Sequence, residues 1–80
     1  MTNKDILTKL KDIIEDINPD IDFSESLALI QSGAMDSLEV INYLTQIEEV
    51  FNLEISLEQL QEEKLGVVGN MLNYIASQII

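Results

Sequence analysis

Apolar residues recur three and four positions apart in separate runs along this chain, and nowhere do they alternate with polar residues over the length of a strand. That period commits the chain to helices, because a residue meets its neighbour on one helical face every 3.6 positions. Over residues 3–17, Ile6, Leu7, Leu10, Ile13, Ile14 and Ile17 form one such face. Thr2 or Asn3 can cap it, and Asn18-Pro19-Asp20 ends it, since the residue before a proline is biased away from the helical region. A second helix is predicted over about residues 37–51, with Val40, Ile41, Leu44, Ile47, Val50 and Phe51 facing inward and Asn52 as its stop. Ser56-Leu57-Glu58-Gln59 is a capping-box pattern that opens a short third helix, whose thin apolar edge is Leu57, Leu60 and Leu65. Gly66 and Gly69 lie around the entry to the last helix, where Val68, Met71, Leu72, Ile75 and Ile79 recur at helical spacing and Tyr74 packs partly inside. The expected fold class is all-α: a small four-helix bundle with three longer helices, a short third one, and a long loop between helices one and two.

That loop, residues 18–35, carries Ile21, Phe23, Leu27, Leu29 and Ile30, too apolar a set to hang in water. It is expected to fold back over the core, with a short turn of helix near residues 24–30. Asp20, Asp22 and Ser24 alternate like the start of a calcium loop. The match fails at Glu25, where the sharp turn wants glycine, and at Gln31, where a bidentate glutamate belongs, so no metal is expected.

The 80 residues amount to one domain, residues 1–80, without room for a second core. The chain has no cysteine, so neither disulfides nor a metal-thiolate centre can reinforce it. Its 46% hydrophobic content makes an apolar core feasible. Fifteen acids against four lysines give a net charge of −11. Nucleic acid is thereby excluded as a partner, since phosphate binding needs clustered Lys or Arg. An anionic membrane is excluded on the same ground, and no apolar run approaches the length of a membrane span. The expected partners are proteins with basic patches, attracted over long range. The expected state is a cytoplasmic monomer, and a discrete protein is expected rather than a module of a larger synthase.

The feature with chemical content is Gly33-Ala34-Met35-Asp36-Ser37-Leu38-Glu39. Asp36 can act as N-cap of helix two, with Glu39 at the third position completing a capping-box-like pair. Ser37 then sits at the first helical position, exposed on the rim. Unpaired N–H groups and the positive end of the helix dipole favour an anion there, so a phosphodiester on Ser37 would suit the place. Without histidine, cysteine or arginine in the chain, Ser37 has no imidazole to deprotonate it, and Lys4, Lys9, Lys11 and Lys64 are distant in sequence. Autonomous catalysis is not expected.

The stretch over residues 29–55, L-I-Q-S-G-A-M-D-S-L-E-V-I-N-Y-L-T-Q-I-E-E-V-F-N-L-E-I, resembles the acyl and peptidyl carrier protein family. The pattern E-E-x-F-x-x-E-I within it and V-x-x-x-x-N-Y-I over residues 68–75 extend the likeness over most of the chain. The resemblance implies that Ser37 carries 4′-phosphopantetheine, placed there from coenzyme A by a phosphopantetheinyl transferase. It implies that an acyl or aminoacyl group is held on the arm as a thioester, loaded by a ligase and presented to synthases or modifying enzymes. Asp36 and Leu38 match the family motif flanking the serine. Glu39, Glu48 and Glu49 match acidic positions of the second helix with which family members dock basic partner surfaces, and Met35 and Val40 are candidate apolar contacts beside the serine. Asn42 stands where fatty-acid carriers generally have an acid, and S-G-A-M-D-S-L departs from the L-G-A-D-S-L usual in that branch, a lean toward a specialised pathway. The competing reading is an acidic helical interaction domain that binds a basic partner and has no cofactor.

Overall fold

The computed structural model describes residues 2–24 and 26–79, which form four helices: α1 (Asn3–Ile17), α2 (Ser37–Phe51), α3 (Leu57–Glu62) and α4 (Val68–Ile79). α1 is the central element, packed against both α2 and α4. Its first turn is closed by a reciprocal cap in which the Thr2 hydroxyl accepts from the Asp5 N–H (3.2 Å) and the Asp5 carboxylate accepts from the Thr2 N–H (3.0 Å). Those bonds, from the Thr2 backbone first and its hydroxyl second, hold the Asp5 carboxyl below the usual carboxylate range. The helix ends at Asn18, whose extended backbone (φ −150°) precedes Pro19.

The core is one cluster drawn from all the longer helices: Ile6, Leu10 and Ile14 of α1, Tyr43 and Ile47 of α2, and Met71 and Ile75 of α4 are fully enclosed. Two inward assignments in the second helix are corrected. Ile41 and Val50 are 48% and 47% exposed, and Tyr43 is buried in their place. The five buried positions of α2, Val40, Tyr43, Leu44, Ile47 and Phe51, define an arc centred between them, and Ile41 and Val50 fall on its two flanks. α2 terminates at Asn52, which takes the left-handed conformation (φ 55°) that asparagine tolerates.

The short third helix is capped as its pattern predicts, Ser56 Oγ accepting from Gln59 N–H at 3.1 Å. None of its residues is buried, however. Leu57 is 59% exposed, Leu60 is partly buried, and Leu65 lies in the turn beyond the helix, where it is almost wholly buried. α3 is therefore held by few bonds: Gln59 Nε2 donates to the Tyr74 hydroxyl of α4 (3.0 Å), and the Ile55 N–H donates to Glu48 Oε2 of α2 (3.0 Å).

The long connection does fold over the core, with Leu29 buried and Ile21, Phe23 and Leu27 packed against the cluster, while Ile30 is half exposed. The expected turn of helix near residues 24–30 is absent among the described residues, Glu25 lying outside them. Ala28 instead makes an isolated antiparallel bridge with Val67. Leu29 N–H donates to the Gly66 carbonyl (2.9 Å) and Val68 N–H to the Leu27 carbonyl (3.0 Å), which spends on a cross-chain pairing the backbone groups a helix would have used.

Candidate functional site

The approach to α2 is built from a tight turn. Ser32 N–H donates to the Ala28 carbonyl (3.0 Å), Gly33 N–H to the Ile30 carbonyl (3.0 Å), and Gly33 occupies φ +79°, a conformation that favours glycine. The chain is then pinned: Met35 N–H donates to the Leu29 carbonyl at 2.8 Å, and its side chain is only 2% exposed. Asp36 follows in extended conformation and caps the helix. Its carboxylate accepts from Glu39 N–H at 2.8 Å, and Glu39 Oε1 accepts from Asp36 N–H at 3.2 Å. Ser37 is the first residue of α2 and is exposed, next to Leu38, which is 78% exposed.

Three features converge there. The Ser37 hydroxyl faces solvent, and the first turn of a 15-residue helix supplies the positive end of its dipole. The capping pair fixes the helix start. The chain offers no histidine or cysteine to activate the hydroxyl, and no group of acidic residues among those described could hold a metal ion. A serine hydroxyl is a weak nucleophile unless an adjacent base activates it.

The remaining candidate residues separate into two sets. Met35 and Val40 are each 2% exposed, so they support the site from inside and offer no surface to a partner in this conformation. Of the acids, Glu39 is committed to the cap and Glu48 to the Ile55 N–H, whereas Glu49 is exposed. Sequence reasoning missed Ile41, which is half exposed one turn from Ser37; its apolar character assigned it to the core.

Comparison with known proteins matches residues 4–75 to the family model described as a phosphopantetheine attachment site. The chain belongs to the phosphopantetheine-binding carrier protein family. It is similar to an acyl carrier protein of Lactobacillus acidophilus, 30% identical over 80 residues that span 96% of each chain. It is likewise similar to an acyl carrier protein of Wolinella succinogenes, 30% identical over 73 residues that cover 88% of this chain and 92% of the other. No solved structure matches significantly. The carrier is thus not an enzyme, and its cofactor is a covalently bound 4′-phosphopantetheine, whose terminal thiol supplies the thioester chemistry that a chain without cysteine lacks. An exposed hydroxyl at a capped helix start fits a phosphodiester-linked group: the bond is reachable, and the anion meets the helix dipole. No helix among the described residues is long and apolar enough to cross a membrane.

Proposed function

We propose that Ser37 carries the 4′-phosphopantetheine arm and that the protein, as one carrier domain of 80 residues, holds an acyl group on it as a thioester for cytoplasmic biosynthetic enzymes. One observation carries the assignment: Ser37 is exposed at the first position of α2, between the Asp36 cap and a Leu38 that is 78% exposed. A phosphopantetheinyl transferase joins the Ser37 Oγ to the phosphorus of coenzyme A's phosphopantetheinyl group, breaking the pyrophosphate linkage so that adenosine 3′,5′-bisphosphate leaves, and takes the hydroxyl proton, for which this chain has no histidine acceptor. A loading ligase and downstream synthases or modifying enzymes visit afterwards. The net charge of −11 attracts their basic surfaces, with Asp36, Leu38, Glu39, Glu48 and Glu49 on or near the approach and Met35 and Val40 bracing it from beneath.

An acyl rather than an aminoacyl cargo is favoured by two things. The relatives are named acyl carrier proteins, and an open cleft of about 440 Å³, lined by Ala28, Leu29, Ile30, Leu60, Gly66 and Val67 together with the polar Gln31, Gln61 and Lys64, offers mostly apolar surface to an acyl chain. The test is intact mass after incubation with coenzyme A, magnesium and a promiscuous transferase. The protein should gain one phosphopantetheinyl group, and Ser37→Ala should gain none while keeping its helical circular dichroism. A labelled Ser37→Ala protein would move the attachment to another residue.

A further inference from the structure

Three of the four lysines, Lys4, Lys9 and Lys11, stand on α1. The fourth, Lys64, stands in the turn between α3 and α4 and lines the same cleft as Leu29, Leu60 and Val67. Its backbone is in an unfavourable place for a lysine. α3 ends in a turn in which the Leu65 N–H donates to the Leu60 carbonyl (3.0 Å) and Lys64 takes the left-handed conformation at φ 52°. Helices that end this way usually place glycine there, because a Cβ crowds the following carbonyl oxygen. The turn is closed without the lysine side chain: the Lys64 carbonyl accepts from the Val67 N–H (3.1 Å) and from Asn70 Nδ2 (3.0 Å). Among the described residues Lys64 makes no ion pair either. What lysine adds at a glycine's position is a positive charge on the cleft.

That cleft is joined to Ser37 through the backbone. The Leu29 N–H donates to the Gly66 carbonyl (2.9 Å), and the Leu29 carbonyl accepts from the Met35 N–H (2.8 Å), two residues before Ser37. With about 3.8 Å per residue and one hydrogen bond to cross, the Leu29 Cα lies no more than roughly 14 Å from that of Ser37. A phosphopantetheine arm of roughly fourteen bonds extends to about 16 Å, since three bonds of an extended chain span about 3.3–3.6 Å. Cargo on its end therefore reaches the cleft. The lining combines apolar Leu29, Leu60 and Val67 with polar Gln31, Gln61 and Lys64, which suits a ligand with an apolar body and a polar end. A net charge of −11 repels anions from the protein at large, and Lys64 is the one side-chain cation outside α1 to receive one.

We propose that the cleft is specific for acyl groups that end in a carboxylate, the methylene chain lying on Leu29, Leu60 and Val67 and the carboxylate pairing with Lys64, with the Gln31 and Gln61 amides as further donors. A neutral chain of equal length gains nothing from the ammonium. Lys64 is then a specificity-determining residue, which accounts for a side chain where glycine fits the backbone better. The proposal rests on attachment of the arm at Ser37 and on the cleft as the place of the cargo.

The full chain is loaded by a promiscuous phosphopantetheinyl transferase from octanoyl-coenzyme A or from octanedioyl-coenzyme A, which has the same number of carbons and a terminal carboxylate. Intact mass confirms loading, and thermal midpoints are compared at low salt. The octanedioyl form should melt above the octanoyl form by about 1–4 °C, the size of a rim ion pair in a domain this small, and the gap should shrink as salt is added. Lys64→Gln should abolish the gap and Lys64→Glu should reverse it. Lys64→Gly should abolish it while raising the midpoint of the unloaded protein, an effect opposite to that expected if the lysine served only the turn. Equal midpoints for the two loaded wild-type forms, or a gap that survives in Lys64→Gln, would overturn the proposal. A higher midpoint for the octanoyl form would show a cleft for neutral chains and overturn it as well, leaving the attachment of the arm intact. A wild-type chain that gains no mass would remove the arm itself, and the proposal with it.

Discussion

Replacing Tyr43 by phenylalanine removes one oxygen from the centre of the core and should make the protein more stable. The side chain is fully enclosed, and among the described residues its hydroxyl is a buried polar atom without a hydrogen-bond partner. A buried hydroxyl left unpaired costs about 1–3 kcal/mol. Tyr43→Phe keeps the ring and its contacts and removes that penalty. The space vacated by one oxygen, on the order of 10–20 Å³, takes back roughly 0.2–0.5 kcal/mol at about 24 cal/mol per Å³. The expected net gain is about 1 kcal/mol, which for a domain of this size raises Tm by about 4–8 °C. Urea titrations and thermal melts at neutral pH measure it, and Tyr74→Phe supplies the opposite sign, because the Tyr74 hydroxyl accepts from Gln59 at 3.0 Å. Alkaline titration gives a second signature. Burial pushes the Tyr43 phenol well above its ordinary value, so above about pH 10 the unfolded chain loses this proton and the folded chain keeps it. The folded state then binds more protons, and wild-type stability falls by up to about 1.4 kcal/mol per pH unit from this group, a loss the variant does not share. The advantage of Tyr43→Phe should therefore widen above about pH 10. A variant less stable than wild type at neutral pH, with no widening at high pH, would show that the hydroxyl is well paired and refute the reasoning.

Three further outcomes are expected. Asp36→Ala should cost about 1 kcal/mol in urea titration, the worth of a helix N-cap, and lower the rate of loading at Ser37, since the cap sets the start of α2; an unchanged midpoint would remove the cap from the account. Glu48→Ala should cost about 1–2 kcal/mol and speed amide exchange at Ile55, whose N–H would lose its acceptor, whereas retained protection there would show that the 3.0 Å bond is dispensable. With −11 on 80 residues, the thermal midpoint near neutral pH should rise with added salt or magnesium, and indifference to ionic strength would mean that the carboxylates do not repel each other appreciably.

The four helices were legible because their signals are local. A cap such as Asp36 with Glu39 needs only four residues to be recognised, and the structure closes all three predicted cap positions, at Thr2, Asp36 and Ser56. The same locality made Ser37 legible as an exposed first residue. What escaped is non-local. The apolar positions first assigned inward on α2 span about half its circumference, wider than α1 and the core can cover, and periodicity alone does not say which flank is left out. Tyr43 lies at one edge of the buried arc, beside Val50, and carries a polar hydroxyl, so periodicity alone does not show that its ring is fully enclosed. In the loop there is no period to read: Met35 is buried because Leu29 and the 28–67 bridge draw the chain inward, a pairing between residues far apart in sequence.

Met35 has one more consequence, for how the cargo travels. Its buried side chain and 2.8 Å bond to Leu29 hold the backbone just two residues before Ser37. If the arm is carried on Ser37 as proposed, its base is a pivot bolted to the bundle, not the end of a leash. Fluctuation of the preceding loop adds nothing to the arm's reach, and the cargo sweeps a shell whose radius is the arm's own length. A partner that seats the bundle in one orientation has in the same act decided which part of that shell its active site samples.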